Sequence, residues 1–149
     1  MFPVSIKGVL LVDNGKAVLA MNDRGEWELP GGRIEVGEDP ETCVQREFEE
    51  ELSVKVFAEE LIDSYLFEVI PGKHVFIVTY GCKLQGPFEP RLSHEHVELR
   101  SFAVDSLPTR LPSGYRASIE AWHAKAYPLD PSIENTAPSK SGATSHLKR

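Results

Sequence analysis

Apolar and β-branched residues dominate positions 6–12, broken by Lys7 and Gly8. Asp13, Asn14 and Gly15 follow, and positions 17–21 are apolar again. Two such runs around a short polar link predict a β-hairpin. Lys7 and Lys16 are expected to face solvent on it, where either can meet a phosphate. A second polar turn at 22–26 leads into W-E-L-P-G-G at 27–32, a buried tryptophan ahead of a glycine turn. The period then changes. Val44, Phe48 and Leu52 recur at every fourth position, Asp39 suits an N-cap and Pro40 suits the first helical position, so a helix is predicted from 40 to about 52.

Past that helix, an extended segment begins at 54–57. Positions 61–70 and 74–80 carry aromatic and β-branched residues on either side of Pro71, Gly72 and Lys73, which predicts a second pair of strands. Tyr65, Phe67, Phe76 and Tyr80 read as sheet packing, although any of them, or Phe88, is also a candidate to stack on a nucleobase. Positions 81–92 read as loop, and 93–103 as a polar loop followed by an edge strand. Ile119, Trp122 and Ala126 fit one face of a closing helix, with Ser118 at its margin. From 128 onward the chain is rich in Pro, Ser, Thr, Asn and Lys. The expected organisation is therefore one domain over 1–127 and a tail over 128–149 that is partly or wholly disordered. Periodicity alone places the domain in the α/β or α+β class.

The predicted helix has an unusual distribution of charge. At about 100° per residue, Glu47, Glu50 and Glu51 share a sector about 100° wide that borders the apolar stripe, whereas Glu49 points away with Gln45. Carboxylates gathered at the edge of a core repel and raise one another's pKa. A hard divalent cation relieves that repulsion, because magnesium and manganese prefer oxygen ligands. Taken alone, E-x-x-E-E also suits an ordinary charged amphipathic helix.

Composition narrows the class further. The chain has 149 residues, 41% of them apolar, and a formal net charge of -7. That charge, without a basic patch, argues against polymeric nucleic acid as a partner but leaves room for a small anionic substrate carried by metal ions. Two cysteines, Cys43 and Cys82, make no disulfide framework and point to a reducing, cytoplasmic compartment. The apolar start is short and carries Lys7, so it reads as a strand and not a signal peptide, and nothing approaches a membrane span. His94, Glu95 and His96 lack the spacing and the thiolate partner of a closed zinc site.

Residues 32–54 resemble the signature of the Nudix hydrolase family: a glycine, five residues, a glutamate, seven residues, Arg-Glu, an apolar residue, any residue, Glu-Glu, any residue, glycine and an apolar residue. Gly32, Glu38, Arg46, Glu47, Phe48, Glu50, Glu51 and Val54 fill eight of the nine fixed places, and Ser53 stands where the last glycine belongs. Serine can take the left-handed conformation of a helix stop at a cost of about 1 kcal/mol. The lead-in W-x-L-P-G-G is common in the family and is matched by Trp27, Leu29, Pro30, Gly31 and Gly32.

The resemblance implies an α/β/α sandwich with a mixed β-sheet, the signature forming a loop-helix-loop. It implies Mg2+-dependent hydrolysis, with Mn2+ a substitute, of the diphosphate linkage in a nucleotide sugar or nucleoside triphosphate. Glu47, Glu50 and Glu51 are then the expected metal ligands. Glu38 is a further ligand to the metal or to its water, and a main-chain carbonyl of Gly31 or Gly32 joins them. Arg46 is expected to orient a signature glutamate through a bidentate ion pair. The loop before the late strand often supplies a catalytic base or an extra ligand in this family; Glu95 is the first candidate, with His94 and Glu98 behind it. Family members are often dimers, so a homodimer is possible. Substrate-selecting residues are not identifiable. Two other readings are a Nudix-like module that binds a nucleotide or a protein without turnover, and a plain α/β domain with a charged helix.

Overall fold

Strand β1 (Val4–Val12) anchors the sheet. The computed structural model describes residues 1–129. Over residues 4–10, β1 runs parallel to β6 (Lys73–Leu84), and along its other edge residues 5–7 pair antiparallel with the short β4 (Gly31–Arg33). Its last two residues pair with β2 (Lys16–Met21) around the turn at Asp13, Asn14 and Gly15, all three at positive φ. Outward from β2 lie β3 (Trp27–Glu28) and β7 (Glu98–Phe102), and β5 (Val56–Ile70) forms a long antiparallel hairpin with β6. The sheet is mixed, as the family resemblance implies, and helices flank it in the α/β/α manner.

Helix α1 (Pro40–Leu52) covers one face. Its Val44, Phe48 and Leu52 pack with Ile6, Leu10, Tyr80 and Cys82. Helix α2 (Ser113–Ala126) covers the other, where Tyr115, Ile119 and Trp122 pack with Val9, Leu19 and Ile77. β1 is thus buried on both sides, which accounts for its nearly unbroken apolar run. The same double cover overturns one expectation. Lys7 does not face solvent but is buried at 8% exposure, whereas Lys16 is exposed.

Both ends of α1 follow from local chemistry. Asp39 accepts a hydrogen bond from Thr42 N–H at 2.8 Å, and Pro40 needs no partner for a missing N–H. Ser53 ends the helix at φ 57° and ψ 36°, the left-handed conformation that a glycine would take there. Other expectations need correction. Gly81 to Leu84 are strand, because β5 offers them partners as far as Val56. Gly31 to Arg33 are strand rather than free loop, because β1 pairs with them. Ala126 is exposed, and the buried face of α2 consists of Gly114, Tyr115, Ser118, Ile119 and Trp122. The expectation for the tail falls almost wholly outside the described residues.

Candidate active site

The site is assembled where α1 crosses the end of β4. Gly31 has φ 143°, and a Cβ there would stand 2.0 Å from the Ile6 carbonyl oxygen, so only glycine brings the chain this close to β1. Its N–H donates to Glu51 Oε1 at 3.3 Å. A Cβ on Gly32 would stand 2.4 to 2.8 Å from the Glu47 carboxylate atoms. The second glycine therefore clears the space that the Glu47 carboxylate occupies. The Gly32 carbonyl accepts a weak S–H bond from Cys43 at 3.7 Å.

A cleft of about 450 Å³ opens here. Six glutamates line it: Glu28, Glu35, Glu47, Glu50, Glu51 and Glu95. Against them stand Arg33, Arg46 and His96. Of the sequence-predicted residues, Gly32, Arg46, Glu47, Glu50, Glu51 and Glu95 line the cleft; Glu38 does not line it but is bonded to Arg46, and His94 and Glu98 stay outside. His94 is exposed and does not line the cleft; Glu98 lies in β7 and pairs with Arg100. None of Tyr65, Phe67, Phe76, Tyr80 and Phe88 lines the cleft, and Tyr80 and Phe88 belong to the core under α1. Glu49 is exposed, and Gln45 turns from the site to accept Ala58 N–H at 3.0 Å.

Arg46 ties the outer part of this wall together. Its Nε and Nη2 reach both oxygens of Glu38, at 2.6 and 3.0 Å, in a bidentate fork. Its Nη1 is shared by Glu47 and Glu50, each at 3.1 Å. The fork holds the Glu38 carboxyl down at about 2, helped by the Glu35 N–H.

Glu51 is different. It is 5% exposed, and burial together with the neighbouring Glu47 pushes its carboxyl up to about 8, despite the pull of Lys7 and the Gly31 N–H. Behind it lies a charged group that the sequence did not reveal. His96 Nε2 and Glu28 Oε2 are 3.0 Å apart. That bond raises the imidazole pKa against the effect of burial. Burial pushes the Glu28 carboxyl up, but His96 and Lys7 bring it below its ordinary value. Burial pulls the Lys7 ammonium down, and Tyr115, Glu28, Glu51 and Glu47 more than restore it.

Among the described residues, no three carboxylate, imidazole or thiol groups already stand together as a metal cluster. Arg46 occupies the middle of the wall instead. The donor set nonetheless fits a hard cation. It is all oxygen, it contains a buried carboxylate whose charge is opposed by its surroundings, and the missing side chain of Gly32 gives the Glu47 carboxylate its place in it. Cys43 and Cys82 are free and buried, and burial pushes both thiols up to about 12, so neither offers a thiolate.

A family profile described as "NUDIX domain" matches residues 1–126. The chain belongs to the Nudix family. A "MutT-like protein" of Streptomyces ambofaciens is 33% identical to this Nudix protein over 113 residues, 75% of this chain and 71% of that one. An "8-oxo-dGTP diphosphatase" of Haemophilus influenzae is 42% identical over 66 residues, 41% of this chain and 48% of that one. Among solved structures, the MutT NUDIX hydrolase from Burkholderia pseudomallei superposes with a TM-score of 0.71 at 29% identity, covering 81% of this chain and 98% of that chain. The activity that goes with this Nudix protein is hydrolysis of a nucleotide diphosphate linkage. No helix among the described residues is long and apolar enough to cross a membrane.

Proposed function

We propose that this Nudix protein is a divalent-metal-dependent pyrophosphohydrolase, with Mg2+ the physiological ion and Mn2+ an effective substitute. The observation that carries the reading is the buried Glu51 carboxylate set beside Glu47 and the Gly31–Gly32 backbone in an all-oxygen cleft. Glu47, Glu50 and Glu51 are the side chains that would hold the ion, with a carbonyl of Gly31 or Gly32 and, directly or through water, Glu38. Bound there, the ion supplies charge neutralisation at the diphosphate and acidifies water.

The chain's own residues provide the framework. Arg46 fixes Glu38 and restrains Glu47 and Glu50, so the acidic wall is pre-set before substrate arrives. The Gly31 N–H orients Glu51. Glu95, on the loop between β6 and β7, takes a proton from the attacking water. Water attacks phosphorus, one phosphoanhydride P–O bond breaks, and its electron pair leaves with the departing phosphate oxygen. A nucleoside triphosphate would give nucleoside monophosphate and pyrophosphate; a nucleotide sugar would give nucleoside monophosphate and a sugar phosphate.

Nucleoside triphosphates are the first class to test, since the Haemophilus relative is named for one. The experiment is a panel of nucleoside triphosphates, diphosphates, dinucleotides and nucleotide sugars with magnesium, with both products identified. Turnover of one class to the products above is expected. No product from any substrate, in a folded and magnesium-binding protein, would favour a binding module instead.

A further inference from the structure

His96 lies outside the Nudix signature, yet it is among the most buried charged or polar residues of the described chain, at 8% exposure. Its ring has one directional contact, the 3.0 Å bond from Nε2 to Glu28. Nδ1 is buried and meets no hydrogen-bond partner among the described residues. The orientation of the imidazole therefore rests on Glu28 alone. A buried polar ring with a single anchor loses its preferred position when that anchor is removed.

The ring also belongs to a short segment pinned to three parts of the molecule. Arg91 N–H donates to the Leu52 carbonyl at 2.7 Å, and Ser93 N–H to the Glu51 carbonyl at 2.9 Å, which fastens the segment to the end of α1. Val97 N–H donates to the Met21 carbonyl at 3.0 Å, which fastens it to β2. His96 supplies the third attachment, to β3 through Glu28. Between the α1 and β3 attachments sits Glu95. Its N–H donates to Ser93 Oγ at 3.3 Å, and its exposed side chain lines the acidic cleft. The main chain of Glu95 is thus held by a neighbour two residues away, and the place of its carboxylate depends on how firmly the segment itself is fixed.

We propose that His96 is a positioning residue that, by bonding Glu28, holds the 91–97 loop across the cleft and keeps Glu95 aimed at the reacting water. The proposal rests on the pyrophosphohydrolase reading, and it assigns His96 no contact with substrate or metal. Two neighbours in sequence then play different parts. The exposed Glu95 meets the water, and the buried His96 sets where it stands. A displacement on the order of 1 Å in a catalytic group is enough to cost a large rate factor.

Three variants and two measurements test this. His96→Ala should lower kcat roughly ten-fold with KM changed less than about two-fold. His96→Gln, whose side-chain amide can still donate to Glu28, should recover most of that loss. In a Glu95→Gln background, His96→Ala should add little, because the group it positions is already disabled. Equal losses from His96→Ala in both backgrounds would overturn the proposal, as would an unchanged kcat. Amide hydrogen exchange provides the readout that needs no substrate. His96→Ala should speed exchange at Ser93 and Val97 while α1 remains protected, and His96→Gln should restore the slow rates. Unchanged exchange in His96→Ala overturns the holding role even if no substrate has been found. Faster loop exchange alongside a wild-type protein that turns over nothing would instead mark failure of the pyrophosphohydrolase reading.

Discussion

The outer and inner parts of the acidic wall use the same side chain for opposite electrostatics. On the outside, Glu38, Glu47 and Glu50 share Arg46, at distances from 2.6 to 3.1 Å, so each has a positive charge in direct contact. On the inside, Glu51 is buried with Glu47 near it, and its direct hydrogen bond is a single peptide N–H at 3.3 Å. Lys7 pulls on it electrostatically but is itself drawn to Tyr115 and Glu28. The comparison shows where a bound cation would gain most. A carboxylate that touches a guanidinium, even a shared one, gains less from another positive charge than a desolvated one with no cation in direct contact.

Removing the cation is the most severe way to test that contrast. Rigorous chelation should abolish hydrolysis while circular dichroism keeps its helix and sheet signals; full turnover after chelation would exclude the mechanism. Next comes the inner carboxylate itself. Glu51→Gln should cost at least roughly 10² in turnover, about 3 kcal/mol at the transition state. It should also raise the stability of the metal-free protein, because burial and Glu47 both oppose the charge it removes. Glu49→Gln, on the exposed side of the same helix, should keep nearly normal turnover. Equal small losses in the two variants would show that the helix does not sort its glutamates.

The outer part should respond to geometry more than to charge. Arg46→Lys keeps the positive charge but cannot form the fork on Glu38 while also reaching Glu47 and Glu50. Steady-state rates should fall about ten-fold, nearly as far as in Arg46→Ala. Full activity in the lysine variant would mean that a point charge suffices. The smallest effect is expected at Ser53, which holds a left-handed conformation at the end of the helix. Ser53→Gly should add up to about 1 kcal/mol in a denaturant titration and leave turnover nearly unchanged. A large gain in turnover would show that the serine distorts the site.

The outer wall is legible in the sequence because its determinants are close together there. Asp39, Pro40, the stripe of Val44, Phe48 and Leu52, and Ser53 specify α1 locally, and a helical wheel then places Glu47, Glu50 and Glu51. The bidentate partner of Arg46 is a signature glutamate, as the resemblance implies, and it is Glu38, eight residues away. The inner group is not legible. Glu28 and His96 are 68 residues apart, and no periodicity links them. Lys7 interrupts an apolar strand in the way that solvent-facing residues do, but α2 covers the face that alternation would leave wet. Its place within a run of apolar neighbours is the available signal, since strands buried on both sides have no wet face. His96 stands beside Glu95 in a polar stretch, with nothing local to mark which of the two turns inward.

The bonds from Arg91 and Ser93 to the carbonyls of Leu52 and Glu51 have a consequence for the order in which the chain acquires its shape. The end of α1 receives these partners from chain made some 40 residues later, and β1 must wait for residues 76–82 before its parallel neighbour exists. Pairings so distant in sequence carry a large loop-closure cost and form slowly. During synthesis, the glutamate helix can be complete while its last turn and its strand bed are still unfinished. Selective affinity for divalent ions should therefore arise late in folding, after the residues around 97 have docked, and not with the first appearance of helix. A refolding experiment that follows helix formation and magnesium uptake together should find the second lagging the first.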